Sequence, residues 1–325
     1  MPVPDAAAGS RVFAVIPTHD QVEQTLRCLR SLEAGVVVPT AVVVDDGSTD
    51  GTSARIAEEH PDVIVLSGDG SLWWTGATNA GVRYALAHGA DYVATVNADG
   101  VVEPSTFEAL LAFAREDGHA LASPVHRRLA SPHEVIGIGV TSGGDWDTWF
   151  VPPVLAGDEP AAIDLTGGNL VLIPAACFEA VGLFDEKGLP QNWADFDFEL
   201  RARAAGWRLY CVPTATLLVD TDTTGPRLGR RATLREGLSF LTSTRSPYHL
   251  VYFPRFVFRH YRPRLALTIL ARFYRRLAVS VLRRRPVGPV SPRAPGSGDG
   301  GPPRAGGPAP VPRRPTAGGG TPSGG

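Results

Sequence analysis

The sequence predicts an α/β fold in which a Rossmann-like, mostly parallel sheet is flanked by helices. Three observations support this prediction. Short apolar runs alternate with helix-like segments over the first 125 residues, the links between them are short and polar, and the apolar runs are typical of buried strands. Such alternation of strand and helix indicates a doubly wound sheet.

The predicted elements follow one another in a regular order. Strand-like runs cover 11–18, 41–48, 62–68, 91–99 and 119–125, and helical segments cover 21–35, 52–60, 75–89 and 104–117. Positions 126–165 are less regular, and "GGDWDTW" among them indicates an exposed loop or a pair of edge strands. A strand at 167–174 follows, then a helix with Pro174 in its first turn, a helix at 193–206 and a strand at 207–213.

The composition changes after Gly225. Two further helical segments follow, and positions 226–285 contain many arginines but only Glu236 as an acid. From Pro286 to the end, proline and glycine dominate, and such a segment buries too little apolar surface to become ordered. We therefore expect a flexible N-terminus at 1–10, an α/β domain at 11–225, a basic helical extension at 226–285 and a disordered tail at 286–325.

Charge, cysteine usage and hydropathy exclude several classes of protein. The formal net charge is −2, which provides no overall basic field for nucleic acid. Cys28, Cys177 and Cys211 stand singly in apolar surroundings, so we expect core residues in a reducing compartment rather than a disulfide framework or a zinc site. The N-terminus shows no secretory signal, and no apolar run is long enough to span a membrane. We therefore expect a cytoplasmic location.

Polar residues end three of the predicted strands. Thr18 follows the first strand, Asp45 and Asp46 follow the second, and Asn97 and Asp99 follow the fourth. The carboxyl ends of parallel strands lie on one rim of a sheet, and open sheets bind ligands there. Each group taken alone is also typical of a turn or a helix N-cap.

The usual phosphate-binding motifs are absent from the sequence. The first strand is not followed by G-x-G-x-x-G, the chain lacks G-x-x-x-x-G-K-[ST], and its only lysine is Lys187. A site that has carboxylates instead must neutralise phosphate in another way. A divalent cation held by Asp99 and bridging a diphosphate provides one, because carboxylate oxygens are hard ligands.

Taken together, these motifs resemble those of family 2 glycosyltransferases, which are inverting, nucleotide-sugar-dependent enzymes with the GT-A fold. "AVIPTHDQVEQTLRCLRSL" resembles the family's opening strand and helix, and "VVVDDGSTDGT" its nucleotide-binding turn. "GATNAGVRYAL" resembles its helix across the nucleotide, and "TVNADG" its metal-binding D-x-D motif in an N-x-D form. "TGGNLVLIPAACFEAVGLFDE" and "WADFDFELRARAAGWRLYCVP" resemble acceptor-side segments. The resemblance covers about residues 11–225 and is strongest to the bacterial, rhamnosyltransferase-like branch.

The resemblance implies roles for individual residues. Asp99 is expected to contact Mg²⁺ or Mn²⁺, and Asn97 to join the metal shell or contact the ribose. The residues expected to line the nucleotide-sugar pocket are Pro17, Thr18, Asp45, Asp46, Trp74, Asn79, Asn97, Gly167 and Trp193. The two tryptophans would offer stacking surfaces, with core packing as the alternative, and Gly167 would allow close backbone approach, with a simple turn as the alternative.

The helix predicted at 193–206 contains a second group of carboxylates. Its predicted stripes are an apolar core stripe at Phe196, Leu200 and Ala204, an ion pair between Asp197 and Arg201, and a polar stripe at Asp195, Glu199 and Arg203. These residues alone are compatible with a solvated helix that carries weak surface ion pairs. The resemblance of "ADFDFELR" to the family's E-D-x-D-x-x-x-R segment instead implies that Asp195 is the catalytic base, and a helix N-terminus favours its ionised form.

The sequence departs from the family pattern in two places. Ala194 occupies the position of a glutamate in many relatives. No histidine follows the strand at 207–213, where the family often has a metal ligand. Asp220 or Asp222 would replace that histidine with an oxygen ligand, or Asp99 and the diphosphate would hold the metal alone.

The segment 255–285 mixes arginines with leucine, phenylalanine, tyrosine and isoleucine. This composition is typical of a helix at an anionic membrane surface, which would place the protein peripherally on the inner face of the cell membrane. It is equally typical of a helix that packs on the α/β domain with its arginines in solvent.

The expected function is inverting transfer of a sugar from a nucleoside-diphosphate sugar, dTDP- or UDP-linked with rhamnose as a candidate, to a hydroxyl of a cell-surface polysaccharide or lipid-linked glycan. Two alternatives are a nucleotidyltransferase that makes nucleotide-sugars and a non-catalytic carbohydrate-binding protein with the same fold. Nucleotidyltransferases of this kind usually have a glycine-rich loop with arginine or lysine after the first strand, and "PTHDQVEQ" has neither.

Overall fold

The computed structural model describes residues 9–141, 157–220 and 234–282. Within these ranges, one sheet of ten strands has helices packed on both faces. The segment "GGDWDTW", Asp222 and the predicted disordered tail lie outside the described residues. The predicted α/β class with a mostly parallel sheet is confirmed.

The first half of the chain alternates strand and helix as predicted. The elements are β1 (Val12–Thr18), α1 (Val22–Glu33), β2 (Thr40–Asp45), α2 (Thr52–Glu59), β3 (Ile64–Ser67), α3 (Trp73–Ala87), β4 (Tyr92–Val96), β5 (Gly100–Val102), α4 (Thr106–Asp117) and β6 (Ala120–Arg128). The short strand β5 was not predicted. It separates the Asn97–Asp99 turn from the loop that leads into α4.

The second half completes the sheet and adds helices at the C-terminal end. The elements are β7 (Ser131–Gly137), β8 (Ala161–Ile163), β9 (Leu170–Pro174), α5 (Ala175–Val181), α6 (Ala194–Ala204), β10 (Arg208–Val219), α7 (Leu234–Thr242), α8 (Tyr252–His260) and α9 (Pro263–Leu282). Pro174 precedes α5 as its N-cap instead of lying in its first turn. Strand β10 continues beyond its predicted end at 213 through an irregularity between Val212 and Thr216.

The strand order places the predicted strand ends on one rim. The sheet runs β3-β2-β1-β4-β9-β6-β10-β5, and β1 pairs in parallel with both β2 and β4. Thr18 lies opposite Asp45, and Val15 lies opposite Thr95, so β1, β2 and β4 end on the same side. Strand β9 is inserted antiparallel between β4 and β6, and β5 runs antiparallel to β10.

Two apolar clusters cover the two faces of the sheet. One contains side chains of α1, α2 and α4, and the other contains side chains of α3, α5 and α6. Cys28, Cys177 and Cys211 are buried and free of disulfide bonds, as the sequence predicts. Burial raises the pKa of each thiol to about 12, so these thiols stay protonated.

The predicted core stripe of α6 is wrong. The helix buries Ala194, Phe198 and Ala202 at i, i+4 and i+8, whereas Phe196 is partly buried and Ala204 is exposed. Apolar residues alternate with polar ones along this segment, so more than one face was compatible with a core. The face that packs also carries carboxylates, and their burial is tolerated because each has hydrogen-bond partners.

The C-terminal helices pack on the α/β domain through a third apolar cluster. In this cluster the ring of Trp193 contacts two rings of α8. The centroid distance is 4.7 Å to Phe253 and 5.3 Å to Phe256. Helix α9 adds Ile269 and Phe273 from its buried face. These helices therefore pack on the α/β domain, and contact of their outer surface with a membrane stays a prediction.

A buried carboxylate fastens α8 to α6. Asp197 accepts hydrogen bonds from Arg201 Nε and Arg259 Nη1, both at 2.9 Å, and His260 Nε2 lies 2.8 Å from it. Burial alone would raise the pKa of Asp197, but the bonds from His260, Arg259 and Arg201 outweigh it and lower the pKa to about 2. The predicted pair of Asp197 and Arg201 is confirmed as part of this larger cluster. In the part of the chain that the structure describes, no helix combines the length and apolar character needed to cross a membrane.

Candidate active site

Pro17 and Thr18 lie at the end of β1, and Asp45 lies opposite Thr18 at the end of β2. Thr18 is buried, and its hydroxyl shares a hydrogen bond of 2.8 Å with the hydroxyl of Thr25. The buried carboxylate of Asp45 accepts the Ser48 amide at 2.9 Å and the hydroxyl of Ser53. These side chains shape the turn after β2, and their contact with a nucleotide stays a prediction.

Asp46 connects the same turn to the start of α3. Its two carboxylate oxygens accept the amides of Gly70 at 2.8 Å and Trp73 at 2.9 Å. Trp73 adopts a φ of 57°, a left-handed conformation that is rare outside glycine. Asp46 therefore stabilises the backbone that presents the next residue, Trp74, to the rim.

Asn97 lies at the centre of a hydrogen-bonded network. Its Oδ1 accepts the indole N–H of Trp74 at 2.9 Å, and its Nδ2 donates to Asn169 Oδ1 at 2.7 Å. Its backbone N–H donates to the carbonyl of Asn169 at 2.9 Å. The side chain uses a donor and an acceptor together, which an ionised aspartate cannot do. This explains why an N-x-D sequence suits the turn.

Two residues that were predicted to contact the nucleotide-sugar have side chains that bond to other parts of the protein. Asn79 is buried, donates to the carbonyl of Phe184 at 2.9 Å and accepts the amide of the same residue at 3.1 Å. Trp193 is 7% exposed and its indole N–H donates to the carbonyl of Pro247 at 3.0 Å. Both side chains therefore have packing roles within the protein, and their contact with a nucleotide-sugar stays a prediction. The motif positions them near the site, but side-chain direction depends on neighbours that are remote in sequence.

The loop that contains Gly167 and Gly168 passes close to Trp74. Gly167 has a φ of +84°, which favours glycine, and a Cβ on Gly168 would lie 2.6 Å from Cζ2 of Trp74. The backbone at Gly168 therefore lies close to the ring of Trp74, and the approach of Gly167 to a ligand stays a prediction.

Two carboxylates of α6 hold this loop. Asp195 accepts the amides of Gly168 and Phe196, both at 2.9 Å. Glu199, one turn later, is buried and accepts the two preceding loop amides at 3.0 and 3.1 Å. Burial raises the pKa of Asp195 although these amides and its own oppose the rise. The net effect is thus opposite to that expected from the helix N-terminus alone, and a raised pKa makes the carboxylate a stronger base.

A continuous path of contacts joins Asp195 to the N-x-D turn. Asp195 bonds the amide of Gly168, Gly168 lies against the ring of Trp74, and Trp74 bonds Asn97. Asn97 stands two residues before Asp99. The structure therefore brings the two carboxylate-bearing segments of the sequence into one neighbourhood.

Asp99 and Asp220 flank the last paired position of β5 and β10. Val219 lies opposite Gly100 in this antiparallel pair, so the next residues outward on the two strands are Asp220 and Asp99. Arg27 of α1 donates to Asp220 Oδ2 at 3.4 Å. Asp220 and Asp99 thus occupy neighbouring positions at one sheet edge, and the replacement of the family's histidine by Asp220 stays a prediction.

The donor set at this edge fits a hard divalent cation. Among the described residues, no group of three or more histidine, cysteine, aspartate or glutamate side chains is arranged to hold a metal. Two carboxylates would leave the remaining positions to phosphate oxygens and water, which is how Mg²⁺ is commonly bound. The turn that contains Asp99 lies beside α1, because Cys28 Sγ is 3.9 Å from the carbonyl oxygen of Asn97.

Sequence reasoning missed two residues of this neighbourhood. Asn169 positions Asn97, and Gln191 Oε1 accepts the backbone N–H of Trp74 at 3.0 Å. No local signal identifies either of them. The sequence does place Glu199 on the polar stripe of Asp195, since a spacing of four puts both on one helix face, but it does not predict that Glu199 holds the glycine loop.

Comparison with known proteins shows which proteins this domain resembles. Residues 13–136 match the model of the family described as Glycosyl transferase family 2. An undecaprenyl-phosphate mannosyltransferase of Micrococcus luteus is 36% identical over 104 residues, which are 31% of this chain and 43% of that protein. The aligned part is therefore less than half of that relative. An N-acetylglucosaminyl-diphospho-decaprenol L-rhamnosyltransferase of Mycobacterium tuberculosis is 27% identical over 218 residues, 59% of this chain and 70% of that one.

Solved structures with the same fold are more distant in sequence. GalNAc-T7, crystallised with UDP, GalNAc and Mn²⁺, has a TM-score of 0.56 at 18% identity and covers 65% of this chain and 44% of its own. The mannosyltransferase PcManGT of Pyrobaculum calidifontis, in complex with GDP-Man and Mn²⁺, has a TM-score of 0.55 at 18% identity. The match covers 87% of this chain and 75% of PcManGT. Residues 13–136 thus resemble the family 2 glycosyltransferases, and the likeness to these solved structures shows the GT-A fold.

Proposed function

We propose that this protein is an inverting glycosyltransferase that moves a sugar from a nucleoside-diphosphate sugar to a hydroxyl of a lipid-linked glycan or polysaccharide. The observation that carries the proposal is the path of contacts from Asp195 through Gly168 and Trp74 to the Asn97–Asp99 turn. It joins a carboxylate suited to proton removal with a carboxylate suited to a diphosphate-bound cation.

Asp195 is proposed as the general base. Its oxygens accept two amide hydrogens, which hold the carboxylate in one orientation, and its raised pKa increases its affinity for a proton. As the acceptor oxygen forms a bond to the anomeric carbon, Asp195 takes the hydroxyl proton, and the bond to the diphosphate breaks on the opposite side. Attack opposite the leaving group inverts the anomeric centre.

Asp99 and Asp220 are proposed as the protein ligands of Mg²⁺ or Mn²⁺. Such a cation, when bound, neutralises negative charge on the departing diphosphate. The protein's part is to present two carboxylates from adjacent strand ends. Trp74, held by Asn97, and the turn formed by Pro17, Thr18, Asp45 and Asp46 are proposed to line the nucleotide-sugar pocket.

The names of the relatives support a lipid-linked acceptor. Both curated relatives act, by their names, with polyprenyl-linked substrates, and one transfers L-rhamnose. We therefore propose a dTDP- or UDP-sugar donor, with rhamnose as the first candidate, and a polyprenyl diphosphate-linked sugar as the acceptor.

The outer surface of the C-terminal helices supports a location at the membrane. Leu250, Val251, Phe258 and Leu267 are between 48% and 61% exposed. Arg262, Arg264 and Arg275 are exposed on the same two helices or between them. Apolar side chains interspersed with arginine favour an anionic bilayer surface. We propose peripheral contact with the inner face of the cell membrane, where a lipid-linked acceptor would be presented.

The test is a transfer assay with the full-length chain. Each of dTDP-, UDP- and GDP-sugars is incubated with a short-chain polyprenyl diphosphate-linked N-acetylglucosamine and Mn²⁺, and products are identified by mass spectrometry. Release of nucleoside diphosphate together with a glycosylated lipid supports the proposal. Binding of donor without turnover would favour the carbohydrate-binding alternative. Formation of a nucleotide-sugar from a nucleoside triphosphate and a sugar phosphate would favour the nucleotidyltransferase.

A further inference from the structure

Asp195 and Glu199 form a pair of neighbouring carboxyl groups on one face of α6, of which Glu199 is buried and Asp195 is partly buried. They stand four residues apart, one helical turn, near the N-terminal end of α6. Between them they accept three consecutive amides of the glycine loop, those of Thr166, Gly167 and Gly168. Burial of a charged carboxylate costs free energy, so two carboxyl groups side by side at this position need a physical explanation.

The two carboxyls line one small cavity of about 10 Å³. Its other walls are Thr95, Leu121, Gly168, Val171, Ile173, Phe184 and Phe198. Such a volume is about that needed by one water molecule. The hydroxyl of Thr95 is buried and has no hydrogen-bond partner within the described part of the chain. The cavity therefore offers a polar hydrogen-bonding position beside the two acids in an otherwise apolar wall.

This environment opposes two negative charges at once. Burial raises the pKa of Glu199 well above its usual value, and the charge of Asp195 raises it further. The charged groups that act on Glu199 are Asp195, one turn before it, and Arg203, one turn after it, which itself pairs with Asp164. Strands β4, β6 and β9 contribute a hydroxyl and apolar side chains. Adjacent carboxyls in such a site hold a proton between them, because both cannot ionise together.

We infer that Asp195 and Glu199 carry one proton between them at neutral pH, that this proton resides on Glu199, and that Glu199 is the positioning residue that lets Asp195 remain the single negative charge of the pair. The role of Asp195 as base rests on the proposed function. The shared proton does not, since it follows from burial and spacing. A protonated Glu199 still accepts the loop amides and can donate its O–H to Asp195 or to a water in the cavity.

Infrared spectroscopy of the full-length protein tests the shared proton without any sugar transfer. The carbonyl stretch of a protonated carboxylic acid is recorded across the pH range, with ¹³C-glutamate labelling to separate glutamate from aspartate. We expect one buried protonated glutamate at neutral pH. The signal should disappear in Glu199→Gln and persist in Glu58→Gln, whose carboxyl is exposed on α2. A parent protein without such a signal at neutral pH, or a signal that survives Glu199→Gln in folded protein, overturns the inference.

The reciprocal variant tests the coupling, and it remains informative if Glu199→Gln fails to fold. Asp195→Asn removes the charge that raises the pKa of Glu199, so the glutamate signal should be lost at a pH lower by about one unit or more. An unchanged titration would contradict the coupling.

The pH profile of transfer supplies a further readout. Because glutamine is neutral, as a protonated Glu199 is, the acid limb of folded Glu199→Gln should match that of the parent. An acid limb displaced to lower pH would show that Glu199 is ionised in the active protein and would overturn the inference. If no transfer is found but the infrared result holds, the proposed function fails and the shared proton stands.

Discussion

The indole N–H of Trp74 donates a hydrogen bond of 2.9 Å to the side-chain oxygen of Asn97. This bond links the start of α3 to the end of β4, and it orients two residues that the resemblance assigns to nucleotide binding. Neither residue needs to touch the ligand through these atoms to affect it, because each fixes the position of the other.

Replacement of Trp74 by phenylalanine should therefore weaken nucleotide binding. Trp74→Phe keeps an aromatic ring but removes the N–H, and the loss of one hydrogen bond of about 1 kcal/mol corresponds to roughly a fivefold increase in Kd. Calorimetric titration with the preferred nucleoside diphosphate and Mn²⁺ measures it. Trp207→Phe is the matched control, since Trp207 is buried against His119 away from the rim. Equal affinity of Trp74→Phe and the parent would show that the Trp74–Asn97 bond does not support the pocket.

Removal of the carboxylate of Asp99 should abolish the metal-dependent part of nucleotide binding. In Asp99→Ala, the rise in melting temperature with nucleotide should no longer depend on Mn²⁺, because ligands that bind the folded state stabilise it. Asp220→Ala should lose a smaller part of the Mn²⁺-dependent rise in melting temperature, and Asn97→Ala should also reduce this rise less than Asp99→Ala does. Glu58→Gln serves as the control for a lost carboxylate. Undiminished Mn²⁺ dependence in Asp99→Ala would refute the metal assignment.

Two aspartates of α6 should respond differently to the same substitution. Asp195→Asn should keep its fold and donor affinity but lose about 10²-fold or more in transfer rate, which is the usual contribution of a positioned base. Asp197→Asn should keep the rate per folded molecule but lose roughly 3–5 kcal/mol of stability, because it leaves Arg201 and Arg259 without their buried partner. The transfer rate and the melting temperature, measured for both variants, test these two expectations. Near-parental turnover in Asp195→Asn would eliminate it as the base.

The stability of the parent should depend on Asp197 at acid pH. The pKa of Asp197 is lowered from 3.8 to about 2 on folding, so its contribution is complete above about pH 4 and is lost as the pH falls through 2. A shift of this size corresponds to roughly 2–3 kcal/mol. The difference in unfolding free energy between the parent and Asp197→Asn, measured by urea titration at each pH, should shrink over this window. A constant difference from pH 5 to pH 2 would contradict the assignment.

Charge reversal on the outer face of α9 should weaken membrane binding. Arg264 and Arg275 are exposed, so Arg264→Glu with Arg275→Glu should leave the fold intact and reduce sedimentation with anionic liposomes. Added salt should weaken binding of the parent. Arg30→Glu with Arg115→Glu makes the same change in net charge on exposed residues of α1 and α4. Equal losses in both double variants would indicate a nonspecific charge effect instead of a membrane-facing surface.

The sequence by itself determined the parts of this protein that depend on local pattern. Apolar runs such as 11–18 and 91–99 became β1 and β4, because a strand buried on both faces needs continuous apolar side chains. Polar residues after β1, β2 and β4 necessarily met on one rim once those strands were parallel. The i, i+4 pair of Asp197 and Arg201 likewise needed only a helix.

The tertiary structure alone decided which way side chains point and what covers them. Asn79 and Trp193 lie in motifs near the site. Asn79 is hydrogen-bonded to Phe184, and Trp193 packs against aromatic rings of α8. Three further features depend on segments far apart in the chain. They are the face that α6 buries, the insertion of β9 between β4 and β6, and the neighbouring positions of Asp99 and Asp220 at one sheet edge. The periodicity of apolar residues in a sequence indicates which faces of a helix or strand are suited to burial. Only the neighbours brought by folding determine whether burial there is compensated by hydrogen bonds, as it is for Asp195 and Glu199.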